Sequence, residues 1–282
     1  MKVQKKKENA GYQLKTQKKG KKYKKKKRTG IKYFILTVLF LSALTAFALS
    51  PVFNIKSIVV KGNKHIKSDE MEASSGVIIG ENGFKSIGNS LSKILMFRYG
   101  KSENKILNSQ PYIKKVMVRF SIPDKVIIKA TERTPSYAVP YMGSFLLMDD
   151  EGYILDMVDS NKKGPLNTVT GMKFANYKKG QVLKVENSSS IGYIKKLTDA
   201  IKESDNNNEL KLLELLSSID VSDASNISAV FDSRITVNFN DLRDLDYRLN
   251  FFRSIYLTQI KKSDKGFLDF NEDGNYYFRP KK

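Results

Sequence analysis

Residues 110–139 read QPYIKKVMVRFSIPDKVIIKATERTPSYAV, and this stretch decides how the first folded part of the chain is built. Apolar side chains alternate with others over Ile113–Phe120 and again over Lys125–Thr131. Alternation of this kind is typical of strands with one buried face. The four residues between the two runs, SIPD at 121–124, have the composition of a hairpin turn. The stretch therefore predicts a pair of antiparallel strands.

The residues before this hairpin predict one further strand and two helical segments. Phe53–Lys61 carries apolar residues in a mostly alternating pattern, which favours a strand. Acidic residues follow Ser68 and a glycine stands at position 76, as expected for a short helix between them. A second helical stretch covers Ser86–Arg98 and extends to Ser109. Its apolar face consists of Ile87, Leu91, Ile94 and Leu95. The predicted order of elements is β-α-α-β-β.

Further upstream lies a run of 23 uncharged residues, 33–55, which begins with the strongly apolar YFILTVLFLSALTAFAL. A helix of about 20 residues spans the hydrocarbon core of a bilayer, and proline favours a helix end. We therefore expect a transmembrane helix at residues 31–51, which ends at Pro51. Residues 46–48, Ala-Phe-Ala, also fit a signal-peptidase site, which leaves a cleaved secretory signal as the alternative. The 32 residues before the apolar run are long for a signal peptide, so we favour an uncleaved anchor.

Positive charge is concentrated on one side of this helix. The chain carries a formal net charge of +21, and 15 of its 50 Lys and Arg residues but only one acidic residue lie in the first 32 positions. By the positive-inside rule, the N-terminus is cytoplasmic and the residues after the helix are outside. We expect residues 1–30 to form a disordered tail that binds anionic membrane lipids. Nucleic-acid binding by KKGKKYKKKKR, residues 18–28, is the less favoured alternative.

The residues after the hairpin predict a second α+β part. Short strands, helices and turns are indicated by alternation, helical spacing and Gly or Asp clusters. The predicted elements are a hairpin at Ser144–Asp156, helices at Ser188–Glu203 and Glu209–Leu216, strands at Ile227–Asp232 and Arg234–Phe239, a long helix at Asp241–Lys262, and final strands at Gly266–Phe270 and Tyr276–Arg279. The apolar stripe of the long helix is predicted to be core.

These patterns together resemble a known family. A β-α-α-β-β unit directly after one membrane span resembles a POTRA domain. Residues 110–139, with their proline turn and the exit Glu132-Arg133-Thr134-Pro135, resemble the hairpin of the FtsQ/DivIB family of division proteins. The second part is similar to the β domain of that family. It departs from the family pattern at residues 237–240 and 267–270.

The resemblance implies a domain organisation and a function. It implies a cytoplasmic tail at 1–30, a membrane helix at 31–51, a POTRA domain at 52–133, and a β domain with a mainly antiparallel sheet at 134–282. It also implies a non-enzymatic scaffold at the division septum that binds FtsL-type and FtsB/DivIC-type partners. Neither a cofactor, a metal, a small-molecule substrate nor nucleic acid is expected.

The same resemblance places the partner contacts on the last strand. Its residues in this sequence are Tyr276, Tyr277, Phe278 and Arg279. Aromatic residues and arginine are the types that anchor interfaces, and a strand at a sheet edge can accept a partner strand. The alternative is that these aromatic side chains only close the core.

Catalytic look-alikes are present but incomplete. Ser90–Lys93 and Ser102–Lys105 spell S-x-x-K and residues 204–206 spell S-D-N, yet no K-T-G follows. Residues 269–274 match the opening of an EF-hand loop, but position twelve is Pro280 instead of glutamate. The chain has no cysteine and one histidine, His65, which we expect at the surface. A membrane-anchored cell-wall enzyme and a POTRA-type chaperone for secreted polypeptides therefore remain the alternative functions.

Overall fold

The computed structural model describes residues 29–240, 242–270 and 276–281. Residues 1–28 of the predicted basic tail lie outside this range. The described part of the chain is α+β, as predicted, with one apolar N-terminal helix followed by two buried clusters. The smaller cluster runs from Phe53 to Ala130 and the larger from Tyr137 to Phe270. We call the parts built on these clusters the first and second domains.

Helix α1, Thr29–Ala48, coincides with most of the predicted membrane span. Within it, Gly30–Ala48 is long and apolar enough to cross a membrane, and the described side chains of this stretch are not buried in the protein. An apolar helix without protein cover is what lipid contact requires. A single-turn 3₁₀ helix at Pro51–Phe53 leads into the first domain.

The first domain contains three strands and three helices. Its elements are β1 (Ser57–Lys61), α2 (Ser68–Ser75), α3 (Leu91–Leu95), α4 (Gly100–Ser109), β2 (Ile113–Ser121) and β3 (Lys125–Glu132). Strand β3 is central, parallel to β1 and antiparallel to β2, so the predicted hairpin is confirmed. Helix α2 ends at Gly76, whose φ of 65° is the left-handed conformation that glycine adopts readily.

One prediction for the first domain is wrong. The stretch Ser86–Arg98 does not form a helix with a buried apolar face; only the five residues of α3 are helical, and none of them is buried. Leu91 and Leu95 are 76% and 75% exposed. Helix α4 instead supplies the buried side of this region through Ile106, which packs with Tyr99 in the core.

The second domain is built on a sheet of nine strands among the described residues. Its strands are β4 (Tyr137–Tyr141), β5 (Ser144–Met148), β6 (Ile154–Asp159), β7 (Asn167–Thr170), β8 (Leu216–Asp220), β9 (Ile227–Phe231), β10 (Ile235–Asn240), β11 (Gly266–Phe270) and β12 (Tyr276–Pro280). Their order across the sheet is β12-β11-β10-β9-β8-β7-β4-β5-β6. Most neighbours are antiparallel, whereas β4–β7, β7–β8 and β10–β11 are parallel.

Among the described residues, three helices accompany this sheet: α5 (Ser190–Asn206), α6 (Leu212–Leu215) and α7 (Leu245–Thr258). The predicted stripe of the long helix is largely core, since Leu249 and Phe252 are fully buried and Tyr256 packs partly against them. Helix α7 is shorter than predicted because Leu242 and Asp244 adopt positive φ values of 59° and 49°, which helices do not contain. The predicted first residue, Asp241, lies outside the described residues.

Two strands differ from the sequence prediction. The helix predicted at Glu209–Leu216 is present only as α6, and Leu216 already belongs to strand β8, which the sequence does not predict. Strand β4 is not predicted at all, because Tyr137–Val139 is buried without interruption and shows no alternation. Both strands lie inside the sheet, where neighbours on each side determine their conformation.

Candidate partner-binding edge and domain junction

Strand β12 is the outermost described strand at one side of the large sheet. It pairs antiparallel with β11, from Phe270 opposite Tyr276 to Gly266 opposite Pro280. No described strand lies on its other side. The predicted strand at 276–279 is therefore confirmed and lies at a sheet edge within the described part of the chain. Its role in binding partners stays a prediction.

The backbone of β12 presents alternate polar groups to this free side. The N–H of Lys281 donates to the carbonyl of Lys265 at 2.7 Å, which makes these two residues a hydrogen-bonded pair. In an antiparallel ladder the intervening residues direct their N–H and C=O groups away from the neighbouring strand. Tyr276 and Phe278 therefore direct both groups outward, whereas Pro280 offers only a carbonyl.

The side chains of β12 divide between two faces of the sheet. Tyr276 lies 4.2 Å from the ring of Phe251 in α7, and Phe278 packs partly against the large core. Tyr277 and Arg279 lie on the opposite face. Tyr277 is 52% exposed. The aromatic side chains of this strand thus do not all close the core.

Arg279 is held in place by charge and by stacking. Its guanidinium pairs with the Asp269 carboxylate, with Nε 2.8 Å from Oδ2, and lies 5.4 Å from the ring of Phe267. The other oxygen of Asp269 accepts a hydrogen bond from the Asn238 side-chain amide. This orients an exposed cation beside Tyr277 at the sheet edge.

A glycine in β11 permits the close approach of β12. A Cβ atom on Gly266 would lie 2.7 and 2.9 Å from two ring carbons of Phe278 and closer still to the carbonyl oxygen of Arg279. Those distances are shorter than carbon atoms tolerate. Any side chain at position 266 would therefore displace the edge strand.

A second cluster lies where the two domains join, at the residues that carry the E-R-x-P resemblance. The Glu132 carboxylate accepts hydrogen bonds from the backbone N–H groups of Lys64, His65 and Ile66, at 3.0, 2.7 and 3.1 Å. Burial alone would raise the pKa of Glu132, but these three donors outweigh it, and the pKa lies below its usual value. Glu132 therefore fixes the turn between β1 and α2.

Arg133 continues this junction into the second domain. Its Nη1 lies 2.5 Å from Asp149 Oδ2 and 2.9 Å from Glu151 Oε2, both in the β5–β6 turn. The guanidinium also lies 3.4 Å from the ring centre of Tyr153. The partners of Glu132 and Arg133 are distant in the sequence, so no local pattern predicts these contacts.

The junction is accompanied by a surface pocket of about 420 Å³. His65 lines it and stacks on Tyr112 with ring centres 4.1 Å apart. His65 is exposed, as predicted. Among the described residues no group of three or more His, Asp or Glu residues could hold a metal ion. Residues 271–274 of the EF-hand-like stretch lie outside the described residues.

The catalytic look-alikes have structural roles. Asp205 of the S-D-N stretch is buried and pairs with Arg253 at 2.7 Å, while Ser204 accepts a hydrogen bond from the same guanidinium at 2.9 Å. Ser90 accepts a hydrogen bond from the backbone N–H of Lys93 at the start of α3. The amine of Lys93 is paired with Glu103 at 2.9 Å. Lys93 is thus engaged by a carboxylate in this arrangement.

Comparison with known proteins adds independent observations. Residues 53–133 match the family model of the FtsQ-type POTRA domain. The chain is 27% identical to the cell division protein DivIB of Clostridium tetani over 242 residues, which is 85% of this chain and 84% of that protein. It is also 27% identical to DivIB of Clostridium botulinum over 257 residues, 90% of this chain and 93% of that one.

The matched domain coincides with the first domain of the structure, including the Glu132–Arg133 junction at its end. The similarity to DivIB proteins extends through most of the second domain as well. The chain is therefore similar over most of its length to DivIB cell division proteins, and its first domain matches the FtsQ-type POTRA domain.

Proposed function

We propose that this protein is a non-enzymatic scaffold of the division complex that binds FtsL-type and FtsB/DivIC-type proteins through β12. The observation that supports this best is the placement of β12 at the outside of the described sheet, with outward backbone groups and exposed Tyr277. Edge strands of this kind are able to pair with an added strand.

The proposed mode of binding is strand addition. A partner strand accepts hydrogen bonds from the N–H groups of Tyr276 and Phe278 and donates to their carbonyl groups. Tyr277 and Arg279 contact its side chains on one face, where Arg279 is oriented by Asp269. Pro280 lacks an N–H group, so the added pairing ends there.

The proposed arrangement in the membrane follows the charge asymmetry of the sequence. Residues 1–30 form a cytoplasmic tail that contacts anionic lipids, residues 31–51 form the anchor, and the domains at 52–133 and 134–282 lie outside, at the septum. Protease added to intact wall-less cells is expected to digest the chain beyond Pro51. A fluorescent fusion is expected to form a mid-cell band during division. Full protection of the folded domains from protease would contradict the proposed orientation.

The test of the binding site is a charge substitution at Tyr277. Tyr277→Lys is expected to weaken co-purification with FtsL-type and FtsB/DivIC-type partners by about ten-fold or more, because hot-spot residues contribute at least that much to binding. Met142→Lys is the matched control, since Met142 is 88% exposed in the β4–β5 turn. Unchanged binding by Tyr277→Lys would contradict the proposed site.

Phe278→Lys is the second variant of interest, but its interpretation needs a folding measurement. Phe278 packs partly against the core, so a lysine there affects stability as well as the surface. Circular dichroism of each variant separates the two effects. Loss of binding by a folded Tyr277→Lys protein supports β12 as the binding site. If only Phe278→Lys loses binding and its folding is reduced, the aromatic side chains of β12 only close the core.

A further inference from the structure

The end of the first domain at which β1 and β3 begin and β2 ends carries most of the exposed apolar side chains of this domain. Strand β1 begins at Ser57 and β3 at Lys125, and these residues are paired in a parallel ladder. Strand β2 ends at Ser121, which is paired with Lys125 in the antiparallel ladder. The first residues of β1 and β3 and the last of β2 therefore lie together. We call this the entry end, because the chain enters the domain here from residue 49.

Helix α3 lies at the entry end. The N–H of Phe120 donates to the carbonyl of Phe97 at 2.9 Å, which places the second residue after α3 beside the end of β2. The segment 89–97, which contains α3, is a loop whose two ends lie together, because the N–H of Gly88 donates to the carbonyl of Arg98 at 3.0 Å. A pocket of about 370 Å³ separates the end of α3 from the turn that contains Ile122.

A second exposed apolar segment, the turn at residues 78–81, lies near the same end. The turn from Ile78 to Glu81 is closed by a hydrogen bond from the Glu81 N–H to the Ile78 carbonyl at 3.3 Å. The N–H of Gly80 donates to the carbonyl of Ile55 at 2.8 Å, so the turn is attached to the residues that precede β1. Ile78 and Ile79 are both exposed.

Exposed apolar side chains are concentrated at this end. All residues from 49 to 133 are described, and twelve large apolar side chains among them are exposed. Ten belong to the entry end: Leu49, Val52, Ile78, Ile79, Leu91, Ile94, Leu95, Met96, Phe97 and Ile122. The other two are Val59 and Leu107. A patch of this kind on an otherwise well-packed domain indicates a surface that is covered in its working state.

The composition of the entry end favours a lipid surface. Leu49 directly follows Ala48, the last residue of a helix with the length and composition of a membrane span. Only residues 49–56 separate this helix from Ser57, the first residue of β1. Exposed Arg119 and Lys125 accompany the apolar side chains. Apolar groups with cations at their border suit the interface of an anionic bilayer.

We propose that the entry end of the first domain inserts α3, the Ile78–Ile79 turn and Ile122 into the headgroup region of the outer leaflet. This contact restricts the rotation of the first domain relative to the bilayer. The proposal rests on the proposed membrane anchoring, but it concerns a different surface from β12 and from the basic tail.

The absence of cysteine from the sequence permits a direct test on the full chain. The protein is reconstituted in vesicles of phosphatidylglycerol and phosphatidylcholine, with one nitroxide-labelled cysteine per variant. Leu95→Cys and Ile79→Cys probe the entry end. Leu107→Cys, at the far end of α4, and Met142→Cys, in the second domain, are exposed controls. Accessibility to lipid-soluble oxygen is compared with accessibility to an aqueous nickel chelate.

The expected result is that oxygen relaxes the labels at 95 and 79 more than the nickel chelate does, with the opposite order at 107 and 142. Nickel accessibility at 95 and 79 equal to that of the controls would overturn the proposal. Shielding at 95 and 79 that appears only after a purified division partner is added would also overturn it and assign the surface to protein. The first comparison is made in vesicles without a partner, so its result is independent of whether β12 binds one.

Discussion

Arg133 and Asp149 form an ion pair across the junction of the two domains, with 2.5 Å between Nη1 and Oδ2. Their side chains are only 8% and 2% exposed. Asp149 also accepts hydrogen bonds from the backbone N–H groups of Glu151 and Tyr153, at 3.0 and 2.8 Å. Arg133, which directly follows β3, therefore binds the β5–β6 turn through the Asp149 carboxylate. The same carboxylate fixes the conformation of that turn by accepting its backbone hydrogen bonds. This arrangement couples the end of the first domain to the beginning of the second.

The ion pair predicts a marked effect of Asp149→Asn. Asparagine retains an oxygen for the two backbone donors but presents an amide to the guanidinium of Arg133, which leaves a buried cation with Glu151 as its remaining partner. We expect a loss of about 2 kcal/mol in the free energy of unfolding, in the range of charged hydrogen bonds. Urea unfolding of the full chain in micelles, followed by near-UV circular dichroism, measures it.

Asp150→Asn is the control for this prediction. It removes the same charge from the neighbouring position of the turn, outside the ion pair, and is expected to change the free energy of unfolding little. If the two substitutions lowered the free energy of unfolding equally, the loss of negative charge in the turn would account for the effect, and the ion pair with Arg133 would contribute nothing measurable.

The hairpin, the apolar N-terminal helix and much of the order of elements are predictable from the sequence because their signals are local. Alternation and a proline turn define β2 and β3, and a long uncharged apolar run defines α1. Strand β8 is not predictable in this way. Its first residue completes a leucine-rich run with helical spacing, and only insertion between β7 and β9 makes 216–220 extended.

The candidate sites are predictable to different degrees. The last strand is recognisable from its residues, but its place at the sheet edge depends on the parallel pairing of β10 with β11, which are separated in sequence by α7. The role of Glu132 depends on backbone donors at 64–66, which no pattern in the sequence connects to it. The exposure of α3 is likewise a tertiary property, since its spacing is that of a buried face.

The carboxylate of Glu103 predicts a dependence of stability on pH. Burial raises its pKa, but hydrogen bonds from Arg98, Lys93 and the Val118 N–H outweigh burial, and the pKa lies below the usual 4.5. The folded state therefore binds the proton more weakly than the unfolded state does. Glu103 contributes stability above about pH 4.5, and this contribution is lost as the pH falls through its lowered pKa. Glu151, with a pKa of about 2 set by Lys114 and Arg133, acts in the same direction.

Thermal unfolding at pH 7 and pH 3 tests this dependence. The wild-type melting temperature is expected to fall between the two values. Glu103→Gln is expected to be less stable at pH 7, because Lys93 and Arg98 lose their counter-charge, and to lose less on acidification. Parallel losses in the two proteins would mean that Glu103 is not among the groups that titrate on unfolding.

The buried pair of Arg253 and Asp205 predicts a large effect on stability. The guanidinium also donates to Ser204, Asn250 and the carbonyl of Leu210, and it thereby joins α5, α7 and the segment before α6. Arg253→Met leaves a buried carboxylate without its counter-charge. We expect a loss of about 3–5 kcal/mol in the free energy of unfolding, measured in urea.

Lys195→Ala supplies the comparison for this pair. Lys195 and Asp199 form an ion pair at 3.0 Å on the surface of α5, where both side chains are about half exposed. Solvent screens such pairs, so no measurable change is expected. A loss for Lys195→Ala as large as that for Arg253→Met would contradict the importance of burial.

Gly266→Ala is expected to shift β12 without changing any side chain that faces the proposed partner. The added methyl group would overlap the ring of Phe278 and the carbonyl of Arg279, so β12 must move away from β11. Hydrogen exchange is expected to accelerate at the amides of Tyr277 and Arg279, which face β11. Partner binding is expected to fall, because strand addition requires a straight, well-placed edge.

Gly192→Ala is the matched control, because a Cβ at position 192 in α5 meets no atom within 4 Å. Alanine favours the helix by about 0.5–1 kcal/mol, so this variant is expected to be as stable as the wild type or more so and to bind partners normally. If Gly266→Ala accelerated exchange in β12 while partner binding stayed at the wild-type level, the edge strand would not be the binding site. If both exchange and binding were unchanged, the close contact between Phe278 and Gly266 would be contradicted.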